Sequence, residues 1–131
     1  MHARALSAAL IVALSAGSVA AEDWPGWRGP RADGTVKDAG FPLTWTATEN
    51  VKWKTELRGT GHSSPVVSNG KVFVAGCVEK EKARVLYCVD RASGKVEWER
   101  VAVVSELEKK HNENSWASST PAADGERVYI T

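Results

Sequence analysis

The stretch that decides the fold is Cys88-Val89-Asp90-Arg91-Ala92-Ser93-Gly94-Lys95-Val96-Glu97-Trp98. An alternating apolar run, residues 85–89, enters it, and a second run, 96–98, leaves it. Asp90 and Ser93 are able to hydrogen-bond the turn backbone between these runs, and Gly94 accepts a positive φ at no steric cost. The stretch therefore predicts a β-hairpin with a tryptophan on its second strand.

Four strands are predicted around this hairpin. Asn69-Gly70 is the strongest short hairpin signal, and Pro65 stands at the start of a strand, where its missing N–H is tolerated. A charged turn separates the second and third strands, which we expect at 71–78 and 84–89, with the first at 63–67 and the fourth at 96–104. Four consecutive antiparallel strands, here within residues 59–104, form one blade of a β-propeller.

The pattern of the first hairpin then starts again. The run Ser63-Ser64-Pro65-Val66-Val67-Ser68-Asn69-Gly70-Lys71-Val72-Phe73-Val74 is similar to Ser119-Thr120-Pro121-Ala122-Ala123-Asp124-Gly125-Glu126-Arg127-Val128-Tyr129-Ile130, and Pro65 and Pro121 lie 56 positions apart. Internal similarity of this kind indicates structural repeats. Residues 119–131 are therefore expected to begin a second blade, so that the sequence holds about one and a half blades and is the N-terminal fragment of a longer protein.

The stretch 88–98 resembles the tryptophan-docking motif of quinoprotein-like (PQQ-like) β-propellers, Ala-x-Asp-x-x-Thr-Gly-x-x-x-Trp. Asp90, Gly94 and Trp98 match the motif, Ser93 replaces its threonine, and Cys88 replaces its alanine. The resemblance implies an all-β fold of four-stranded antiparallel blades. It also implies that the tryptophan packs between neighbouring blades.

Residues 51–57 alternate apolar and polar side chains and are similar to 96–100. Such alternation predicts a half-buried strand. It corresponds to the fourth strand of a blade, with Trp53 as its docking residue, yet no first three strands precede it. Closed propellers leave no long open edge, so we interpret 51–58 as the strand that completes the last blade.

The N-terminal residues 1–21 have the pattern of a secretory signal peptide. Arg4 supplies the basic region, 5–16 is an uninterrupted weakly polar to apolar run, and small residues allow cleavage after Ala20 or Ala21. An uncleaved membrane anchor is the alternative, but the run is short for a bilayer span. The mature protein is therefore expected to be periplasmic or secreted, without stable membrane insertion.

The following arm, residues 22–50, is rich in tryptophan, proline and glycine and is expected to be extended and turn-rich. Its pattern Trp-Pro-x-Trp-Arg-Gly-Pro-x-x-Asp-Gly, from Trp24 to Gly34, resembles the N-terminal arm of exported quinoprotein-like propellers. Two interpretations stay open, a ligand-facing aromatic arm and a strap that seals one propeller face. We favour the strap.

Charge argues against a nucleic-acid partner. Removal of Arg4 with the leader leaves equal numbers of basic and acidic residues. A neutral chain has no basic field to attract phosphates.

Export makes the state of the two cysteines relevant, because disulfides persist outside the cytoplasm. Cys77 and Cys88 lie on the strands that flank the charged turn, nearly symmetric about its centre. We predict that they are cross-strand neighbours within reach of a disulfide. Two small buried thiols are the alternative.

The inter-blade loop, residues 105–118, is longer than the other turns, and long loops on a rigid scaffold often carry function. Ser105 and Glu108 form a capping-box pattern that would start a helical turn. The alternative is a solvated insertion. The candidate residues on a propeller face are His62, His111, Asn112 and Asn114.

Catalytic and metal-ligand patterns are missing from the sequence. No Gly-x-Ser-x-Gly elbow occurs, and no His-x-x-x-His, Cys-x-x-Cys or clustered carboxylate set is present. We therefore assign no catalytic residue, no metal ligand and no cofactor.

The expected function is a non-catalytic binding or scaffolding module with a protein or small-molecule ligand on a propeller face. Dehydrogenases of the family that the chain resembles hold pyrroloquinoline quinone (PQQ) and calcium, whereas the scaffold protein of outer-membrane barrel assembly uses the same repeats without catalysis. The alternative is therefore the N-terminal part of a PQQ-dependent alcohol or sugar dehydrogenase, whose catalytic residues lie beyond residue 131.

Overall fold

The computed structural model describes residues 21–131, so the predicted signal peptide lies outside it except for Ala21. The described part is all-β, apart from one 3-10 turn at Glu79–Glu81. Its six strands are β1 (Val66–Ser68), β2 (Lys71–Val78), β3 (Ala83–Asp90), β4 (Val96–Val104), β5 (Ala122–Ala123) and β6 (Val128–Tyr129).

Strands β1 to β4 form one antiparallel sheet in sequential order, which confirms the predicted blade. β1 is shorter than predicted and begins at Val66, directly after Pro65, which has no N–H to donate. The chain before Pro65 still follows β2, because Thr60 and Cys77 exchange backbone hydrogen bonds of 3.0 and 2.7 Å. The Ser63 hydroxyl also accepts the Ala75 N–H at 3.1 Å.

The two turns at one end of the blade have the local chemistry that the sequence predicts. Asn69 and Gly70 have φ values of 50° and 72°, the left-handed geometry of a tight hairpin turn. The Asp90 carboxylate accepts the Ser93 hydroxyl at 2.6 Å and the Ser93 N–H at 2.8 Å, and these bonds lower the pKa of Asp90. The Gly94 N–H donates to the Asp90 carbonyl and closes the turn.

Each face of the sheet buries its own apolar cluster. On the first face a row crosses all four strands, from Val66 through Phe73 and Cys88 to Trp98. The second face buries a separate cluster around β3, made of Ala83, Val85 and Tyr87. A propeller blade is covered on both faces, and this sheet carries the apolar residues for both contacts.

The second repeat covers the first face. Strands β5 and β6 form the hairpin equivalent to β1 and β2, and Val128 and Ile130 pack against the first cluster. Positions that are 56 residues apart, and so equivalent in the repeat, contact each other: the Ser64 N–H donates to the Thr120 hydroxyl at 3.4 Å. Successive repeats therefore lie side by side along their first strands, as neighbouring blades do.

The N-terminal arm joins both repeats. Trp24 exchanges two backbone hydrogen bonds of 2.8 Å with Val67, at the outer edge of β1. The next carbonyl, that of Pro25, accepts the Ala123 N–H of β5 at 2.8 Å. The interpretation of the arm as a strap that seals one propeller face stays a prediction. Further along the arm, Trp27 and Trp45 remain 71% and 69% exposed.

Candidate functional site

Trp53 lies directly on the turn of the motif 88–98. Its indole N–H donates to the Arg91 carbonyl at 2.9 Å, and the ring covers Gly94 so closely that an added Cβ would meet it at 2.5 Å. The Thr55 hydroxyl donates to the Gly94 carbonyl at 2.5 Å. The motif glycine thus supplies both the turn and the flat surface on which this tryptophan packs.

The rest of the segment 51–57 crosses the second face of the blade. Its odd-numbered residues are half-buried and its even-numbered residues are exposed, as the alternation predicts. Leu57 packs against the cluster of Ala83, Val85 and Tyr87, and the Tyr87 hydroxyl donates to the Arg58 carbonyl at 2.8 Å. The segment is extended but belongs to no strand in the described part of the chain. Its role in closing a ring stays a prediction.

Trp98 occupies the opposite, first face. Its ring lies 5.9 Å from the Phe73 ring and packs against the same buried cluster that Val128 and Ile130 contact, and it remains half-buried. The Arg100 guanidinium lies 5.9 Å from the Trp98 ring centroid. Trp53 and Trp98 therefore contact the same blade from its two sides.

The predicted proximity of Cys77 and Cys88 is wrong. Cys77 pairs with Arg84, whereas Cys88 pairs with Phe73. The two cysteines share a face of the sheet but differ by four positions along β3, which separates them by about 13 Å, well beyond disulfide reach. Both are free and buried, and burial raises the pKa of each thiol. The alternative of two buried thiols is the observed one.

The two ends of the blade differ in character. The turn end, around Asn69, Gly70 and residues 90–95, borders an open cavity of about 1040 Å³. Its charges are largely paired, since Lys71 contacts Asp90 and Glu97 at 3.4 and 2.5 Å. The Glu97 carboxylate raises the pKa of Lys71. The cavity therefore offers little free charge to a ligand.

The opposite end, the loop end, is built around the loop 105–118 and is organised by Arg84. This guanidinium donates to the Ser105 hydroxyl at 2.6 Å, to the Glu108 carboxylate at 2.5 Å and to the Trp116 carbonyl at 3.4 Å. Only 15% of the Arg84 side chain is exposed. Backbone hydrogen bonding first, and Arg84 second, lower the pKa of Glu108. One arginine thus holds both limbs of the loop.

Trp116 completes the closure of the loop. Its indole N–H donates to the Glu108 carbonyl at 2.8 Å, and the Lys110 ammonium lies 4.4 Å above its ring. The predicted helical turn at Ser105 is absent, because the Ser105 and Glu108 side chains bind Arg84 instead of capping backbone N–H groups. A loop packed by its own side chains has a defined shape.

The structure brings the predicted face residues to this end of the blade. The His62 N–H donates to the Ser115 hydroxyl and to the Ala117 carbonyl, both at 3.0 Å. His111, Asn112 and Asn114 are exposed at the tip of the loop, and the Asn114 N–H donates to the His111 carbonyl at 3.0 Å. His62 thus contacts the base of the loop through its backbone, while the other three residues form its tip.

Sequence reasoning missed the two residues that shape the loop end, Arg84 and Trp116. A signal for each is present. Arg84 interrupts an otherwise apolar strand, and Trp116 is a large apolar residue in a polar loop, where it needs a surface to cover.

The chemistry offered by the loop end is polar recognition. Among residues 21–131, no group of three His, Cys, Asp or Glu side chains could hold a metal ion. The tip presents exposed amide and imidazole groups and the ammonium group of Lys109. In the same described range there is no helix long and apolar enough to cross a membrane.

Comparison with known proteins supports the same fold. No curated protein and no solved structure matches the chain. The family model described as outer membrane protein assembly factor BamB matches residues 43–131, which include the segment 51–57, the blade, the loop and the second repeat. Since this match spans more than half of the sequence, the chain belongs to the PQQ-like repeat family of outer membrane protein assembly factor BamB.

Proposed function

We propose that the chain is part of an exported PQQ-like propeller that acts as a non-catalytic binding or scaffolding module, with its partner bound at the loop end of the blade. The observation that carries this proposal is the closure of the loop 105–118 by Arg84 and Trp116. The family description, an outer membrane assembly factor, supports a scaffolding role and a periplasmic or secreted location.

The anchoring of the loop favours binding because it reduces the entropy lost on association. A flexible loop must be ordered when a partner binds, at a cost of about 0.5–1.5 kcal/mol for each immobilised side chain. The limbs of this loop are already held by Arg84, while His111, Asn112 and Asn114 stay exposed. The loop is therefore preorganised where it is anchored and accessible where a partner would contact it.

The composition of the loop tip favours a protein partner over a small molecule. Small-molecule sites are concave and mostly apolar. The exposed residues 109 and 111–114 instead carry lysine, histidine, asparagine and glutamate side chains. The balanced charge of the mature chain supports no nucleic-acid partner.

The alternative, a PQQ-dependent dehydrogenase, makes a separate prediction. It would require PQQ and calcium to be held by residues beyond 131. Activity with alcohols or sugars after loading of the complete protein with PQQ and Ca²⁺ would support it.

The binding proposal is tested by photo-crosslinking in the cell that makes the complete protein. A photoreactive amino acid at Asn112 reports on the loop tip, and the same residue at Ala92 is the matched control, since Ala92 is exposed at the turn end. We expect one discrete protein adduct from Asn112 and none from Ala92, with the adduct weakened by Trp116→Ala. Equal labelling from both sites, or PQQ-dependent turnover without an Asn112 adduct, contradicts the proposal.

A further inference from the structure

The first described residues of the chain are tied into the fold. The Glu22 carboxylate accepts two hydrogen bonds from Arg31, at 2.6 and 3.0 Å, and one from the Lys37 N–H at 3.0 Å. Arg31 and then Lys37 lower the pKa of Glu22 to about 2. Arg31 also donates to the Thr35 carbonyl at 2.6 Å. The segment 22–38 is thus a closed loop with Glu22 at its base.

The backbone nitrogen of Glu22 faces a carboxylate. It lies 2.7 Å from Oδ2 of Asp38, a distance typical of charge-assisted N–H···O bonds. The charge of the nearby Arg31 guanidinium is offset by its two hydrogen bonds to the Glu22 carboxylate. A positive charge at the Glu22 nitrogen would therefore meet the Asp38 carboxylate, which is already in place.

The backbone of Ala21 has the opposite surroundings. Its carbonyl oxygen accepts a hydrogen bond from the Arg91 guanidinium at 3.0 Å. Standard backbone dimensions place the nitrogen of a residue within about 4 Å of its own carbonyl oxygen, so a charge at the Ala21 nitrogen would lie within about 7 Å of that guanidinium. Asp23, which contacts Arg91 at 3.8 Å, offsets this repulsion only in part.

These two environments distinguish the two cleavage positions that the leader sequence allows. Cleavage after Ala20 places the new α-ammonium beside a cation, whereas cleavage after Ala21 places it beside Asp38. Val19 and Ala21 are the small residues that a signal peptidase needs for the second position. Cleavage after Ala21 also removes the exposed hydrogen bond from Arg91 to the Ala21 carbonyl, and this loss lowers the stability of the mature protein slightly.

We propose that a signal peptidase cleaves after Ala21, so that Glu22 is the first residue of the mature protein and its α-ammonium forms an ion pair with Asp38. In this step water hydrolyses the Ala21–Glu22 peptide bond. Ala21 leaves with the new carboxylate, and the Glu22 nitrogen takes up protons to become the ammonium. The inference rests on the proposed export of the chain.

The position is tested by the intact mass and N-terminal peptide of the complete protein recovered after export. We expect Glu22 as the first residue. Ala21→Leu should move cleavage to the position after Ala20, because leucine is too large for the last leader residue, whereas Ala20→Leu should leave the mature N-terminus at Glu22. A mature chain that begins at Ala21, with the opposite response to these variants, overturns the assignment but leaves export intact. An unprocessed chain retained in the cytoplasm overturns export and the assignment together.

The ion pair is tested on the mature protein by thermal unfolding at pH 7. Asp38→Asn should lower the Tm by about 2 °C, the scale of a surface ion pair. In protein whose α-amino group has been acetylated, and at about pH 10, where an α-amine is neutral, the effect should be smaller by at least half. An equal shift in the free and acetylated proteins would show that Asp38 binds an ordinary N–H, which overturns the ion pair.

Discussion

Substitution of Gly94 by alanine tests the contact between Trp53 and the turn of the motif 88–98. Gly94 has a φ of 75°, a conformation that costs an L-residue about 1–2 kcal/mol. The new Cβ would also lie 2.5–2.8 Å from three atoms of the Trp53 ring, so the ring has to move. Displacement removes its hydrogen bond to the Arg91 carbonyl, worth about 1 kcal/mol, and exposes part of a large aromatic surface.

We therefore expect Gly94→Ala to lower the free energy of unfolding by about 3–5 kcal/mol, close to the loss of the whole tryptophan contact. The assay is urea unfolding of the complete protein, followed by tryptophan fluorescence. Gly70→Ala is the matched control, because Gly70 has a φ of 72° and open space around its Cβ position. It should lose only the conformational part, about 1–2 kcal/mol.

A double-mutant cycle isolates the clash itself. In a Trp53→Ala background the ring is gone, and Gly94→Ala should then cost no more than Gly70→Ala does in the original protein. If Gly94→Ala and Gly70→Ala cost the same with Trp53 present, the packing of Trp53 on Gly94 contributes nothing and the reasoning is refuted.

Four further expectations can be measured on the same protein. Trp98→Ala should lower the free energy of unfolding by about 3–5 kcal/mol, and a loss below about 1 kcal/mol would contradict its packing against the buried cluster of the first face. The pKa of Asp90 is depressed by Ser93, so its contribution to stability should be present at pH 7 and lost as the pH falls below about 4; an Asp90→Asn variant that is equally sensitive to acid in this range would argue against it. Thiol titration of the denatured protein should find two free cysteines with or without reductant, and labelling of the folded protein should be slow, since both thiols are buried. Arg84→Gln should speed tryptic cleavage after Lys109 and Lys110, whereas Arg58→Gln, which removes exposed ion pairs with Glu81 and Glu99, should leave that rate unchanged.

The blade was predictable because its information is local. The alternation along β2, β3 and β4, and the turn residues Asn69, Gly70 and Asp90, each specify geometry within a few positions. The restart of the pattern at residue 119 predicts the second hairpin in the same way. The alternation of half-buried and exposed residues in 51–57 was also predictable from the sequence. The surface that this segment covers, the second face of the blade, was not.

The pairing of the cysteines was not predictable because strand register depends on the conformation of the connecting turn. A 3-10 turn at Glu79–Glu81, followed by Lys82 with a φ of 51°, makes Val78 and Ala83 the last pair of β2 and β3. That pairing places Cys77 opposite Arg84. The charged composition of the turn allowed several lengths, and each would have brought a different residue opposite Cys77.

The conformation of the loop 105–118 could not be predicted from its local sequence, for a different reason. Its capping-box pattern predicts a helical turn, but both capping side chains are bound by Arg84, which lies more than 20 positions earlier in the chain. The sequence of the loop does not show that Ser105 and Glu108 have this distant partner. Tertiary hydrogen bonding therefore decided the local conformation.

The contacts between equivalent positions of the two repeats have a consequence for how such proteins change in evolution. Asn69 donates its side-chain amide to the Gly125 carbonyl, 56 positions later, and the two positions are counterparts. Each unit therefore offers one surface to the unit after it and a different surface to the unit before it, as subunits do in a head-to-tail ring. The Asn69 amide hydrogen bond itself is particular to this boundary, since its counterpart in the next unit is Gly125. Where units contact only their neighbours, duplication or loss of a whole unit nevertheless creates no new kind of interface, and in a closed propeller the number of units is set by the rotation from one unit to the next.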